Sequence, residues 1–389
     1  MKPPPGCRRL SPLGAALGAL VTLGFTLGLL GGPFRKRRCP DSRRPPPAPP
    51  CQPHSHVVFL KTHKTGSSSV VNLLSRYGES RQLRFALPHR YQFGYPAPFR
   101  AERVRGFRPG GRSFDILCHH MRFNLSEVQR VMPNDSFYFS IVRDPGAAAA
   151  SAFSYFRAAA PAFRNSPSLA AFAASPQRFY RPGLRGNHYA RNLQWFDFGL
   201  PAAAGPARAA ELLAGLERVF PLVLLAERFD ESLVLLRHRL CWPLRAVDLF
   251  PHNARAAAPE LPAEQLMRLR AWNALDQALY SHFNRSFWRQ AERFGLRRLR
   301  REAAELRRRR RELAGRCLRG GAAVPGAEIA ERALRPFQPA GAEPILGFAL
   351  RPGLPPEERE LCRRMALPEL PYKDLLERIQ FGPPNATAG

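Results

Sequence analysis

The stretch Lys61-Thr62-His63-Lys64-Thr65-Gly66-Ser67-Ser68 gathers two ammonium groups, an imidazole, several hydroxyls and a glycine within one short loop. These residue types suit an anion. A glycine-containing turn aims backbone N–H groups at one point, and a helix starting there adds the positive end of its dipole. Lysine is scarce in this chain: it occurs only at positions 2, 36, 61, 64 and 373, against 55 arginines. Two of those five fall in this loop. An ammonium is a compact charge on a flexible stem and can follow a group in flight, whereas a guanidinium clamps a planar anion in fixed geometry. The implied chemistry is the handling of a phosphate or sulfate during transfer. His63, held beside Lys64, adds a group suited to proton abstraction near neutral pH.

A second cluster is Arg143-Asp144-Pro145, with Ser151 eight residues after the arginine. Pro145 can open a helix at no cost in hydrogen bonds. Ser151, about two turns along, returns to the side of the loop. An arginine with a hydroxyl is a sound grip on a terminal phosphate. A third group is His119-His120. Adjacent strand residues point to opposite faces, so one of this pair is expected to be structural and the other to reach the crevice.

The elements that must position these groups alternate. Apolar runs predict strands over 56–60, 84–87, 114–119, 137–142 and 222–226. Helical spacing predicts helices over 67–77, 126–132, 146–156, 169–174, 188–196, 207–220 and 231–240. Such alternation predicts an α/β fold, a P-loop-like parallel sheet flanked by helices. Ligands in that architecture sit at the carboxyl ends of the strands. Residues 264–316 read as mostly helical, with eleven arginines between 293 and 316. Leu296, Leu299, Leu306 and Leu313 recur at helical spacing there, so this is an amphipathic helix with a solvated basic face rather than an anion site. Residues 317–389 read as a Pro-broken, wrapping extension.

The formal net charge is +30, carried by arginine. Alone it fits many anionic partners. Residues 13–30 carry no charge, and basic residues flank them on both sides. The run is longer than a signal-peptide core and no Ala-x-Ala site follows, which favours an uncleaved signal anchor over 12–32. A tail over 1–11 precedes it and a Pro/Arg-rich stem over 33–54 follows, then a body over 55–316 and the extension over 317–389. Sequons at Asn124, Asn134, Asn284 and Asn385 make a lumenal, type II arrangement the expectation. A lumenal body excludes nucleic acid as a partner. Six cysteines, 39, 51, 118, 241, 317 and 362, would then lie where disulfides persist. Their pairing is open, and Cys118 is expected to be a buried thiol.

The two phosphate-type clusters together resemble the donor-binding signatures of sulfotransferases that use 3′-phosphoadenosine 5′-phosphosulfate (PAPS). Gly94-Tyr95-Pro96, Trp195-Phe196-Asp197-Phe198-Gly199 and Trp272-Asn273-Ala274-Leu275-Asp276 narrow the match. So do segments 59–65, 85–88, 118–124, 229–236 and 282–288. From about residue 56 to 375 the chain resembles the galactose-3-O-sulfotransferase family. Segments 30–34 and 90–96 are most similar to its type 4 branch, which acts on O-glycan galactose. Segment 199–210 is short where that branch would carry a long insertion.

The resemblance implies a sulfotransferase fold, the Golgi membrane and a terminal β-galactose acceptor. It also implies donor contacts from Lys61, Thr62, Lys64, Thr65, Gly66, Ser67, Ser68, Arg143 and Ser151. No metal is required. Lys64 would steady developing charge, and either His63 or His120 would serve as base while the other positions the sugar hydroxyl. Trp195, Phe196 and Trp242 are candidates to stack on a sugar face, and Glu227 and Asp230 to orient lysine or sugar hydroxyls. A P-loop kinase is excluded, because no glycine precedes Lys64 at Walker spacing. A sulfotransferase for another sugar position and a non-catalytic, membrane-anchored polyanion binder are the remaining alternatives. The binder leaves the two-lysine loop and its histidine without a task. Glycolipid, O-glycan and N-glycan acceptors stay open.

Overall fold

The computed structural model describes residues 51–252, 261–340 and 344–382. The expected tail, the anchor over 12–32, most of the stem, Cys39 and the sequon at Asn385 lie outside the described residues. No helix among the described residues is long and apolar enough to cross a membrane.

Val57–Leu60 (β1) is the spine of the molecule, and all four residues are fully buried. A continuous apolar run of this kind marks a strand covered on both faces. Phe85–Ala86 (β2), Ile116–Leu117 (β3), Phe137–Val142 (β4) and Leu222–Leu225 (β5) complete a five-stranded sheet in the order β2-β3-β1-β4-β5. Every pairing is parallel. The chain builds one side of β1 and then crosses to the other. Leu60 pairs with Ser140, so the loops that leave β1 and β4 emerge side by side. His119 and His120 follow β3 on the opposite flank of β1. The three predicted clusters therefore converge where strand order reverses, the usual ligand crevice of such sheets.

Helices cover both faces. Ser67–Glu79 (α1) buries Val70, Val71, Leu73 and Leu74 against the sheet. Pro145–Tyr155 (α2) opens on Pro145, and Asp144 caps it by accepting from the Ala147 N–H at 3.0 Å. Leu193–Asp197 (α3) is a short helix near the crevice. Phe229–Arg239 (α4), Ala263–Trp272 (α5), Ala274–Phe294 (α6) and Leu296–Cys317 (α7) follow. Pro356–Ala366 (α8) and Glu369–Phe381 (α9) fold back onto α1.

The helix expected over 188–196 is divided. A 3-10 turn, Asn187–Ala190, ends before Asn192, whose φ of +49° breaks the helix. The Asn192 N–H donates to Asn273 Oδ1 at 2.7 Å, and its side-chain oxygen accepts from the Leu275 and Asp276 N–H groups. The stretch 264–316 is three helices, parted at Asn273 and at Gly295, which has a φ of +97°.

The arginine-rich helix α7 is amphipathic, as its leucines imply. Leu299 and Leu306 are buried, while Leu296 and Leu313 are half-buried against the core. Part of its charge is spent internally: Arg307 and Arg310 pair with Asp230, and Arg309 pairs with Asp248.

Among the described residues two disulfides form, Cys51–Cys241 and Cys317–Cys362, and Cys118 is a buried thiol. The second bridge fastens the end of α7 to α8. Replacing both Cys317 and Cys362 with serine should lower stability by roughly 2–5 kcal/mol, read as a drop in thermal midpoint. An unchanged midpoint would show that packing alone holds α8 in place.

Candidate active site

The loop from Lys61 to Gly66 is braced by its own hydroxyls. Thr62 Oγ1 donates to the Ile141 carbonyl at 2.5 Å, which ties the loop to β4. Thr65 Oγ1 meets Thr62 Oγ1 at 2.9 Å, and Ser67 Oγ donates to the Thr62 carbonyl at 2.7 Å. The side chains of Thr62, Thr65 and Ser67 thus shape the turn. Gly66 and Lys64 both take left-handed backbone, with φ of +77° and +62°. A non-glycine residue pays for that conformation in local strain, which persists where the surroundings enforce it. Here the enforcer includes Arg143, whose Nη1 donates to the Lys64 carbonyl at 3.2 Å. The Lys64 ammonium lies over the Tyr155 ring, 3.6 Å from its centroid. Ser151 precedes Tyr155 by four residues in α2, so it shares that face.

His63 has a partner that sequence reading missed. Asp197, fully buried at the end of α3, accepts from the His63 backbone N–H at 2.7 Å. It also accepts from His63 Nδ1 at 2.9 Å and from the Tyr95 hydroxyl at 2.9 Å. A carboxylate only accepts, so Nδ1 carries the proton and Nε2 keeps the lone pair. Burial first, and then Asp197, hold the Tyr95 phenol well above its usual range, so it stays a donor. Gly94-Tyr95-Pro96 therefore delivers a hydroxyl to the back of this pair.

The His120 ring stacks on His63, with centroids 3.8 Å apart and planes 9° from parallel. Its wiring is the reverse. His120 Nδ1 faces the Lys61 carbonyl at 3.1 Å, and its Nε2 faces the Lys61 ammonium at 2.5 Å. A carbonyl only accepts and an ammonium only donates, so His120 is the Nδ1–H tautomer. Burial, then His63 and Lys61, hold it well below its usual pKa, and it is uncharged at neutral pH. His119 is buried on the far side, with Nδ1 3.7 Å from Glu369 Oε1. One histidine of the pair faces the crevice and the other does not.

The site is walled by aromatics. Tyr95, Phe156 and Tyr189 surround the His63 ring, and His188 stacks between Tyr189 and Phe196. Burial, then His63, lower the His188 pKa to about 4. Two of the aromatic candidates are not at the surface of this crevice. Trp195 is a core residue whose Nε1 donates to the Pro201 carbonyl, and Trp242 stacks on Tyr77 beneath the sheet. Phe196 alone of the three joins the wall. Glu227 accepts from the Asp144 N–H at 2.7 Å and so steadies the Arg143 loop, whereas Asp230 is taken by α7.

Helix α3 joins these parts. Gln194 holds Arg143 through both backbone groups, accepting from its N–H at 2.8 Å and donating to its carbonyl at 2.9 Å. One turn later Asp197 holds His63. The N-terminus of α3 is in turn capped by Asp276, which accepts from the Trp195 N–H at 2.7 Å. Burial raises the Asp276 pKa to about 7, against the pull of these N–H groups.

With this geometry in hand, comparison with known proteins is decisive. The sequence profile of galactose-3-O-sulfotransferases matches residues 28–380. The chain belongs to that family. It is a sulfotransferase directed at the 3-hydroxyl of galactose, and it requires a sulfate donor. Human galactose-3-O-sulfotransferase 4 is 49% identical, covering 95% of this chain and 94% of the relative. Human galactose-3-O-sulfotransferase 2 is also 49% identical, over 85% of this chain and 84% of the relative. Mouse galactosylceramide sulfotransferase is 43% identical over 83% and 78%. The alignment with the first runs over 457 positions, longer than the chain itself, so that relative carries residues this chain lacks. Segments Trp195-Phe196-Asp197 and Trp272-Asn273-Ala274-Leu275-Asp276 of this chain now have a physical meaning: one carries Asp197, and the other holds the helix on which Asp197 sits.

Asp197→Asn keeps the side chain's shape but removes the charge behind His63 and can donate where an acceptor is needed. Turnover should fall by on the order of 10²–10⁴, by analogy with other orienting carboxylates, while donor affinity changes little. Turnover within threefold of the parent would show that Asp197 has only a structural task.

Proposed function

We propose that the chain moves sulfate from PAPS to the 3-hydroxyl of a terminal β-galactose, with the O-glycan core Galβ1,3GalNAc as acceptor. The donor set fits a phosphosulfate. Lys61 and Lys64 supply cations, the turn at Gly66 opens the N-terminus of α1, and Arg143 with Ser151 would grip the 3′-phosphate. When bound, PAPS supplies a sulfuryl group on a phosphate leaving group.

The residues of the chain then divide the work. His63 Nε2 takes the proton of the galactose 3-hydroxyl as the new O–S bond forms. Asp197 holds the imidazole in the tautomer that exposes this lone pair and stabilises the imidazolium that results. Lys64, and Lys61 from beneath, stabilise negative charge as it builds on the departing phosphate. His120, whose two ring nitrogens are both engaged by Lys61, packs against His63 and holds its ring in place rather than orienting the sugar hydroxyl as first expected. Phe196, Tyr189 and Tyr95 give the sugar an apolar face to lie on and exclude water. The single observation carrying this reading is the pairing of His63 Nδ1 with buried Asp197 beside the two-lysine loop.

The surroundings of the enzyme belong to the same proposal: a Golgi type II protein, anchored through 12–32, with its catalytic body in the lumen. Two disulfides support an oxidising compartment. Of the described sequons, Asn134 is exposed, and N-glycans at Asn124, Asn134 and Asn284 are part of this reading.

Two experiments test the assignment of roles. His63→Ala and His120→Ala should each bind PAPS within a few-fold of the parent. Turnover should fall in both, by about 10²–10⁴ at His63 and less at His120. The opposite order would exchange the roles, and full turnover in both would remove the base from this crevice. An acceptor panel run alongside, with product linkage assigned, should favour the O-glycan core over galactosylceramide.

Arg143→Ala should weaken 3′-phosphorylated adenosine nucleotides by roughly 1.5–3 kcal/mol, the worth of charge-assisted hydrogen bonds. The analogue without that phosphate should be spared. Equal weakening of both would reject the grip on the 3′-phosphate.

A further inference from the structure

Glu369 is the first residue of α9, three hundred and one residues beyond Ser68, yet it sits under the donor loop. Its Oε2 accepts from Ser68 Oγ at 3.0 Å and lies 3.2 Å from the Lys61 ammonium, while its Oε1 is 3.7 Å from His119 Nδ1. Burial would push the carboxyl up, but Lys61 and His119 outweigh it and bring the pKa down to about 2. The helix N-terminus adds to that preference for the charged form. Lys61 is 3% exposed, and its ammonium also meets His120 Nε2.

A buried lysine–glutamate pair is seldom worth more to stability than apolar residues of the same volume, because desolvating both charges offsets their attraction. This pair lies not in the core at large but between the donor loop and the stacked histidines. We infer that Glu369 is a positioning residue for sulfate transfer. It fixes the Lys61 ammonium beneath the donor loop, charged and aimed, and so sets the charge that the leaving phosphate meets. The same ammonium, fixed in this way, keeps His120 in its neutral Nδ1–H form, leaving His63 as the base. The C-terminal segment is then part of the active site, carried there by α8 and α9 and fastened by the Cys317–Cys362 bridge. The inference rests on reading the loop as the donor site.

The test uses the full-length chain and two variants. Glu369→Gln keeps the shape and an oxygen for Ser68 but loses the charge, whereas Glu369→Asp keeps the charge. Three quantities are measured: kcat with labelled PAPS and a β-galactoside acceptor, affinity for 3′-phosphoadenosine 5′-phosphate, and thermal midpoint. For Glu369→Gln, kcat should fall at least tenfold, with acceptor KM within threefold and nucleotide affinity unchanged or tighter, since a negative charge has left the site. For Glu369→Asp, kcat should recover to within threefold of the parent. A Glu369→Gln kcat within twofold of the parent overturns the inference. So does a parallel loss of kcat, nucleotide affinity and thermal midpoint, which would make the residue structural, and so does a Glu369→Asp no faster than Glu369→Gln. A parent that transfers no sulfate from PAPS would instead sink the donor-site reading.

Discussion

A single fully buried carboxylate governs the arrangement of this crevice. Taking an ionised aspartate out of water costs several kcal/mol, and the structure tolerates it only when its lone pairs are met by donors. Asp197 has three: the His63 backbone N–H, the His63 ring and the Tyr95 hydroxyl. Satisfying that one charge therefore determines the backbone of the donor loop, the tautomer of the histidine and the position of the 94–96 turn. Two of those donors belong to His63 and the third to Tyr95, in a different part of the chain. None could move far without exposing an uncompensated charge.

The constraint passes outward through α3. The close packing around Gly199 is part of it. A Cβ there would meet the Phe123 carbonyl oxygen at 2.0 Å, and the backbone holds a φ of +76°. Only glycine lets the chain turn directly after Asp197 against segment 118–124. Asp276, Asn192 and Asn273 hold the other end of the helix, so the Trp272-to-Asp276 segment acts on chemistry it never touches. Arg143 receives the same discipline through Gln194. His63 and the arginine of the second cluster are thereby set by opposite ends of one short helix, which explains why both loops keep their relative placement.

The strands were legible because burial on both faces writes itself as unbroken apolar runs, as in Val57–Leu60. The loop over 61–68 stood out in the sequence because lysine is rare here and two occur together. What stayed hidden was non-local. Asp197 lies 134 residues from His63, and although its segment was singled out, nothing local assigned the carboxylate itself a partner. Its flanking aromatics drew attention instead, and the largest of them, Trp195, is core. Glu369 was hidden for the same reason, in a segment whose prolines gave no sign that two helices fold back on α1. The net charge of +30 pointed outward to polyanions, yet several α7 arginines answer to Asp230 and Asp248 inside the protein. Charge composition alone cannot tell an external partner from an internal one.

The two crevice histidines show how the same residue type acquires different work. From sequence, His63 and His120 were both candidates, with His63 the stronger because its neighbours hold it within the two-lysine loop. Their rings lie almost face to face, in the same low-dielectric space. What separates them is the atom behind each ring. Behind His63 stands a carboxylate, which accepts the Nδ1 proton and can stabilise the charge that appears when Nε2 takes another. His120 has a carbonyl at Nδ1 and an ammonium at Nε2. Protonating it would place a cation directly against Lys61, where no counter-charge from Asp197 reaches. Stacking sharpens the difference, because two imidazolium rings 3.8 Å apart would repel each other strongly in so buried a place. Of the two, His120 is the one whose burial and neighbours hold it neutral. On the mechanism proposed above, a neutral, aligned His120 is the condition under which His63 takes up a proton during transfer.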